Sequence, residues 1–401
     1  MRTDIFPNFF FMSEFIPFNR ICRGSEELEA VQKVMEEGSW HGDGPVGKRV
    51  EAVLRRWLGT RHCFLTTSCT HALEMAMIVL EIGPGDEVIM PGFTFVSTAN
   101  AVCMRGGTPV FAEIREADLN LDPDDVARRI TPATRAVIPV HYAGVSADFD
   151  GLHRVIKEQE NVTGGKIALV EDAAQALGAR WNNRFLGTVG DIGCFSFHDT
   201  KNITCGEGGA FVTGDNELAV RAERVREKGT NRSAFLRGEV DKYTWVGPGS
   251  SYIPSEILSA VLEAQLQKKE AIQQARESVW NTYRRVLEPA ADRGWIFLPQ
   301  VPGYARPNYH IFYFRVQRVR DRNPLLKELK NAGIDATFHY VPLHNSPWAR
   351  STLGDVPALP GTERLADSLI RLPLWPGLSD RIEEVAERVH KVMIRYFDSP
   401  G

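Results

Sequence analysis

The chain has 401 residues, a formal net charge of −4, and 43% hydrophobic and 24% charged residues. That length exceeds what one hydrophobic core usually supports, so two domains are expected, and the mild acidity argues against a nucleic-acid partner, which usually needs a basic face. No apolar run of roughly 18 residues suggests a membrane helix, and the six cysteines (Cys22, Cys63, Cys69, Cys103, Cys194, Cys205) show neither C-x-x-C nor zinc spacing, so no metal site is expected and a reducing, cytoplasmic setting is.

Residues 1–15 hold an aromatic patch, Phe9–Phe11, interrupted upstream by Asp4 and Pro7. They read as a short extension rather than a signal peptide, because no basic stretch precedes an apolar core. Ser25 opens a helix with Leu28, Val31, Val34 and Met35 at helical spacing, closed by Gly38. A glycine-rich turn, His41–Pro45, leads to a second helix over 47–58. The pattern then alternates. Strands are expected near 63–66, 87–90, 109–114, 136–140 and 167–170, with helices near 70–80, 96–105, 122–130 and 150–158. Asp122-Pro123 reads as N-cap and first helical position of the helix over 122–130. Further strands fall near 194–197 and 210–213.

Apolar strands separated by helices imply an α/β fold, with a mostly parallel sheet covered on both faces. In such sheets ligands bind at the carboxyl ends of the strands. Residues 256–287 read as one long helix, or two with a break. After the turn-rich link Pro299–Gly303, strands are expected at 311–316 and 336–341, and a helix over 380–396. The expected division is a large domain over 16–265 and a smaller C-terminal α+β domain over 266–401.

Four segments fall just after expected strands. Asp172, in Glu171-Asp172-Ala173-Ala174-Gln175, could cap a turn, bind a metal or face a cationic heterocycle. Lys201 lies before the glycine-rich turn Gly206–Gly209, where a backbone can approach a ligand closely. A lysine that attacks a carbonyl must be neutral, which partial burial favours. Ser68, Cys69 and Thr70 open a helix whose free N–H groups suit a phosphate. Phe95, in Pro91-Gly92-Phe93-Thr94-Phe95, could stack on a flat ring or belong to the core. Together they supply what pyridoxal 5′-phosphate (PLP) needs: a phosphate cradle, an aromatic plate, an acid for the pyridinium nitrogen and a lysine for the aldehyde.

These motifs resemble the DegT/DnrJ/EryC1/StrS sugar aminotransferases over residues 16–396. The carrying stretches are His41–Pro45, Thr67–Met75, Pro91–Ala101, Ile138–Gly144, Val170–Gly178 and Gly193–Gly209. The stretches Arg226–Trp245, Phe338–His344 and Arg371–Ser379 are similar to the branch that makes dTDP-4-amino-4,6-dideoxygalactose. The resemblance implies the PLP-dependent fold type I, that of aspartate aminotransferase. It implies transfer of an amino group from L-glutamate to C4 of dTDP-4-keto-6-deoxy-D-glucose, with pyridoxamine phosphate as the intermediate cofactor form. It further implies Lys201 as the Schiff-base lysine and Asp172 as the pyridinium partner. Gln175 would lie near O3′, Cys69, Thr70 and Ser196 at the phosphate, and Phe95 over the ring. Asn231 would reach the phosphate of a partner subunit, so a homodimer is implied. Lys242, Tyr243, His310, His339 and Tyr340 are candidates for the sugar nucleotide, with His344 and Phe312 nearby. The alternatives are a C3 aminotransferase acting on a 3-keto sugar, a PLP-dependent sugar dehydratase, and a non-catalytic regulator. Dehydratases of this type carry histidine in place of the lysine, and Lys201 is intact.

Overall fold

The computed structural model describes residues 15–354 and 356–398. The extension expected over 1–15 therefore lies, Phe15 apart, outside the described residues. Two helices open the chain, α1 (Ser25–Glu37) and α2 (Pro45–Leu58). The Glu27 carboxylate accepts from the Gly24 N–H at 2.8 Å to start α1, and Gly38 ends it at φ +74°. Glu256 caps α2 from afar, accepting from the N–H groups of Val46 and Gly47 at 2.7 and 2.9 Å.

The chain then alternates through β1 (His62–Thr66), α3 (Cys69–Val79), β2 (Glu87–Pro91), α4 (Val96–Cys103), β3 (Thr108–Ala112), α5 (Pro123–Arg129), β4 (Thr134–Val137), α6 (Phe149–Thr163) and β5 (Ala168–Asp172). As expected, Asp122 caps α5, accepting from the Asp124 N–H, with Pro123 first in the helix. A short hairpin of β6 (Arg180–Trp181) and β7 (Arg184–Phe185) precedes β8 (Ile192–Ser196), β9 (Gly209–Thr213), α7 (Asn216–Arg226) and α8 (Arg232–Leu236). Seven strands form one sheet in the order β1-β9-β8-β5-β4-β2-β3. Only β9 runs against its neighbours. Successive strand residues feed opposite faces. Ile89, Val137 and Leu169 pack with α2, α5 and α6, while Met90, Ala136 and Val170 pack with α3, α4 and α7.

The long helical stretch is two helices, α9 (Glu256–Gln267) and α10 (Lys269–Asp292), broken at Lys268. They precede β10 (Ile296–Phe297), β11 (Ala305–Arg306), β12 (Phe312–Val316), α11 (Arg322–Asn331), α12 (Pro347–Thr352), α13 (Pro360–Ser368), β13 (Leu369–Leu372) and α14 (Ile382–Asp398). A second, antiparallel sheet has the order β10-β12-β13. Helices α10, α11 and α14 cover it around Tyr283, Phe312, Phe314 and Val389.

The strand expected over 336–341 does not form. Only Thr337 bridges, to Arg371. β13 pairs with β12 and buries Leu369, Ile370 and Leu372, and this single bridge lies on its other edge. The arm 338–341 instead leaves the sheet, and Tyr142 and Gln175 of the first domain bond to its His339 and Tyr340. Among the described residues no helix is long and apolar enough to cross a membrane.

Candidate active site

A cavity of about 480 Å³ opens at the carboxyl ends of β2, β5 and β8. That size lies within the usual range for small-molecule sites, roughly 300–1,000 Å³. Asp172 is the last residue of β5. Alternation sends its neighbour Glu171 to the opposite face, where it accepts from the N–H groups of Gly187, Val189 and Gly190 at 2.5–2.6 Å and meets His141 Nε2 at 2.9 Å. The Asp172 carboxylate faces the cavity. Thr98 Oγ1 donates to its Oδ2 at 2.8 Å, and the Ala174 N–H to its Oδ1 at 3.2 Å. Burial pushes the Asp172 pKa up, and these two bonds and the Lys201 charge only partly offset it. Such a carboxylate gains most from a cation placed against it.

Lys201 enters from the turn after β8, its N–H bonded to His198 O at 2.9 Å. Burial lowers its pKa; Cys69 and Asp172 act in the other sense. The result favours a neutral amine. Opposite lies the start of α3. The Ser68 side chain caps it, accepting from the His71 N–H at 3.1 Å, and the first-turn N–H groups of Cys69 and Thr70 have no intrahelical acceptor. Thr70 Oγ1 meets Ser97 Oγ at 2.7 Å. The packing here requires glycine: a Cβ on Gly209 would sit 2.4–2.5 Å from the backbone of Ser68 and Cys69. Ser196 ends β8 at the same rim, and Cys69 is buried with its Sγ toward Cys194 O at 3.5 Å. Phe95 lines the cavity with 56% of its surface exposed, whereas Phe93 is core.

Gln175 joins the two halves. Its Oε1 accepts from the Ala143 N–H at 2.7 Å, and its Nε2 donates to Tyr340 Oη at 3.0 Å. The rings of Tyr340 and His339 stack at 3.8 Å, and His339 Nδ1 lies 3.2 Å from Tyr142 Oη. Burial holds His339 far below the usual histidine range and pushes Tyr340 up to about 12, so both are neutral at pH 7. His310 follows Tyr309, whose φ of +55° turns the chain inward. Asn202 Nδ2 donates to Asn308 O, which leaves its Oδ1 to accept from His310 Nδ1 at 2.8 Å. The lone pair on His310 Nε2 therefore remains unused by this pair.

Eleven of the fourteen candidates thus line one cavity: Ser68, Cys69, Thr70 and Phe95, then Asp172, Gln175, Ser196 and Lys201, and finally His310, His339 and Tyr340. Three do not. Asn231 is spent on its own loop, donating to Lys242 O at 3.0 Å and accepting from the Thr244 N–H at 2.7 Å. Lys242 and Tyr243 are exposed on that loop, away from the cavity of their own chain. His344 and Phe312 are also elsewhere: His344 is buried against Glu363 at 3.0 Å, and Phe312 sits in the C-terminal core. The sequence reading missed Thr98, Phe18 and Arg371. For Arg371 a signal existed, a lone cation in the apolar run Leu369-Ile370-Arg371-Leu372.

The donors fit PLP on their own terms: free helix N–H groups for a phosphate, a buried carboxylate for a ring cation, and a lysine whose burial lowers its pKa for an aldehyde. Fold and site define a PLP-dependent aminotransferase of fold type I. The model of the DegT/DnrJ/EryC1/StrS aminotransferase family matches residues 21–390, and the chain belongs to that family. Among solved structures, it is similar to Spr1654 of Streptococcus pneumoniae in its PLP form (27% identity, TM-score 0.86, covering 95% of this chain and 99% of that one). It is similar to DesV of S. venezuelae, solved with a ketimine intermediate (34%, 0.82, 92% and 94%). PseC of Helicobacter pylori, an aminotransferase of pseudoaminic acid biosynthesis, matches at 26%, TM-score 0.85, over 95% and 99%.

Proposed function

We propose that the protein moves the amino group of L-glutamate to C4 of a nucleotide-linked keto sugar, dTDP-4-keto-6-deoxy-D-glucose, giving dTDP-4-amino-4,6-dideoxyhexose. One observation carries the choice of substrate. The segment Phe338–His344, on which the resemblance to the 4-amino-4,6-dideoxygalactose branch rests, delivers His339 and Tyr340 into the cavity that holds Lys201 and Asp172.

PLP, when bound, supplies the aldehyde and the electron-accepting ring. The residues of the chain do the rest. The N–H groups of Cys69 and Thr70, with Ser68 and Ser196, would hold the phosphate, and Phe95 would lie against the ring. Asp172 holds a positive charge at the ring nitrogen, which in turn keeps the carboxylate ionised. The second amide hydrogen of Gln175 serves O3′. Lys201 takes the proton from Cα of the donor and delivers one to C4 of the sugar. His310, His339 and Tyr340 face the sugar nucleotide.

Asn231, Lys242 and Tyr243 belong, in this reading, to the site of a second copy. Their loop exposes Leu236, Tyr243 and Trp245, at 65%, 52% and 76% of their surfaces, which a homodimer would cover. In this reading the large domain spans residues 16–265 and the small one 266–401, a division that the break between α9 and α10 at Lys268 supports. Four buried thiols and no disulfide suit the cytoplasm.

The test is direct. Protein, PLP, L-glutamate and dTDP-4-keto-6-deoxyglucose are incubated, and the product is assigned by NMR. An amine at C4 is expected. An amine at C3 of a 3-keto substrate instead would favour the alternative regiochemistry, and a deoxy product without nitrogen would point to dehydration.

A further inference from the structure

Two stretches meet in the structure: the glycine-rich turn His41–Pro45, which the chemistry above leaves unused, and the arm 227–251, which carries Asn231. The arm leaves the end of α7 at Arg226, and its limbs are bridged at Glu227–Ser251 and Thr230–Trp245. A Cβ on Gly229 would sit 1.8 Å from Gly247 O, so the limbs close with no space for a side chain. The turn lies against both ends of this arm. On the exit side, a Cβ on Gly42 would meet Pro254 O at 2.3 Å. On the entry side, the buried Arg226 donates from Nη2 to Asp43 Oδ1 at 2.8 Å and from Nη1 to the Glu51 carboxylate of α2. Burial acts to lower the Arg226 pKa, but Glu51 and Asp43 outweigh it, so the guanidinium stays charged.

The pattern continues into the arm. Glu227, also buried, accepts from Arg232 Nη1 at 2.9 Å and from Ser233 Oγ at 3.2 Å. Its backbone O accepts from the Thr230 N–H and hydroxyl at 3.2 and 2.8 Å. Arg232 Nη1 in turn lies 3.9 Å from Asp43 Oδ2. Asn231 stands between Thr230 and Arg232, so the residues on either side of it are both tied to the cluster. Lys48, Arg226 and Arg232 balance Asp43, Glu51 and Glu227, which leaves no spare charge for an ion or a substrate. Such a buried network adds little stability beyond apolar packing, and its best-attested use is to fix one arrangement. We propose that the Asp43–Arg226–Glu51 lock positions Asn231 for the cofactor phosphate of a second copy, an assignment that rests on the reading that this arm serves the partner's site. Glu51 also holds β1 of its own site, accepting from the Leu65 N–H at 3.1 Å. Asp43 is therefore the member that separates the arm from the chain's own phosphate cradle. Its φ of +67° is one that Asp and Asn both tolerate, so the charge can be removed without backbone strain.

The experiment follows the visible band of the PLP-loaded protein, which needs Lys201, as PLP is titrated into apoprotein. Differently tagged chains are co-expressed, and the mixed dimer of wild type with Lys201→Ala is purified, so that a single site gives the band. The arm serving that site belongs to the Lys201→Ala chain. Asp43→Asn added to the Lys201→Ala chain should raise the half-saturating PLP concentration about tenfold, and added to the other chain should leave it within about twofold. Arg232→Gln, on the half-buried edge of the cluster, carries the same test if Asp43→Asn does not fold. A midpoint unmoved in both placements, or a rise that follows the chain bearing Lys201, would overturn the lock. Asn231→Ala is moved between the chains in the same way. If its effect does not follow the Lys201→Ala chain, or no mixed dimer is recovered, the reading of an arm shared between copies fails instead.

Discussion

The wall that carries Lys201 and Asp172 comes from strand ends of a single parallel region, whereas the wall that carries His310, His339, Tyr340 and Arg371 is gathered from three separated segments around an antiparallel sheet. In the first, each functional side chain is held from within the region of the seven-stranded sheet. Asp172 is clamped by Thr98 and Ala174, and Lys201 by the turn from His198. In the second, positions are set by long-range ties: Gln175 to Tyr340, Tyr142 to His339, and Thr337 to Arg371. In the function proposed above, the first wall carries the chemistry and the second the recognition. Substitutions on the first should strike turnover and cofactor together, and those on the second should strike substrate saturation.

The strongest test of that contrast is Lys201→Ala. Turnover should fall by about 10,000-fold or more, and the visible band of the PLP-loaded protein should vanish. Residual turnover within tenfold of wild type would break the comparison. Asp172→Asn should keep most PLP binding and lose turnover on the order of 100-fold. It has a signed companion. Lys201 is unreactive when protonated, so PLP uptake by the apoprotein should speed up as pH rises through a midpoint below the ordinary lysine value of 10.5. Because the Asp172 charge raises that midpoint, Asp172→Asn should move it lower still. A midpoint that moves up would contradict the geometry.

Gly209→Ala probes the cradle. Its Cβ would press on the backbone of Ser68 and Cys69, which cannot yield as a side-chain tip can. A loss of about 1–3 kcal/mol in thermal stability, with weaker PLP binding by titration, is expected. The smallest effect belongs to the second wall. Tyr340→Phe removes the acceptor for Gln175 Nε2. It should raise KM for the sugar nucleotide by up to about tenfold while leaving the PLP spectrum in place. Equal damage to the spectrum would show that the two walls are not separable.

What could be read in the residues alone follows this same division. The sheet strands, the caps at Asp122-Pro123 and Gly38, and the clustering of Asp172, Lys201 and Ser68–Thr70 were legible because each is local. A strand announces its end within the chain, and parallel sheets put functional residues there. The expected strand over 336–341 failed because its apolar character says nothing about which partner it pairs with. Pairing is decided between segments far apart in sequence: β13 pairs with β12 along four residues, and of the expected strand only Thr337 bridges, to Arg371 of β13.

By itself, then, the order of residues determined the α/β class, the PLP-type chemistry and the first wall, since periodicity and contiguous motifs are short-range properties. Only the tertiary structure decided that Arg371 turns into the cavity, its Nε without a hydrogen-bond partner among the described residues. It alone decided that His339 and Tyr340 leave the sheet, and that Asn231, Lys242 and Tyr243 stay clear of their own chain's site. These depend on which distant segments meet, and that is settled by packing and hydrogen bonding across hundreds of residues rather than by any local pattern.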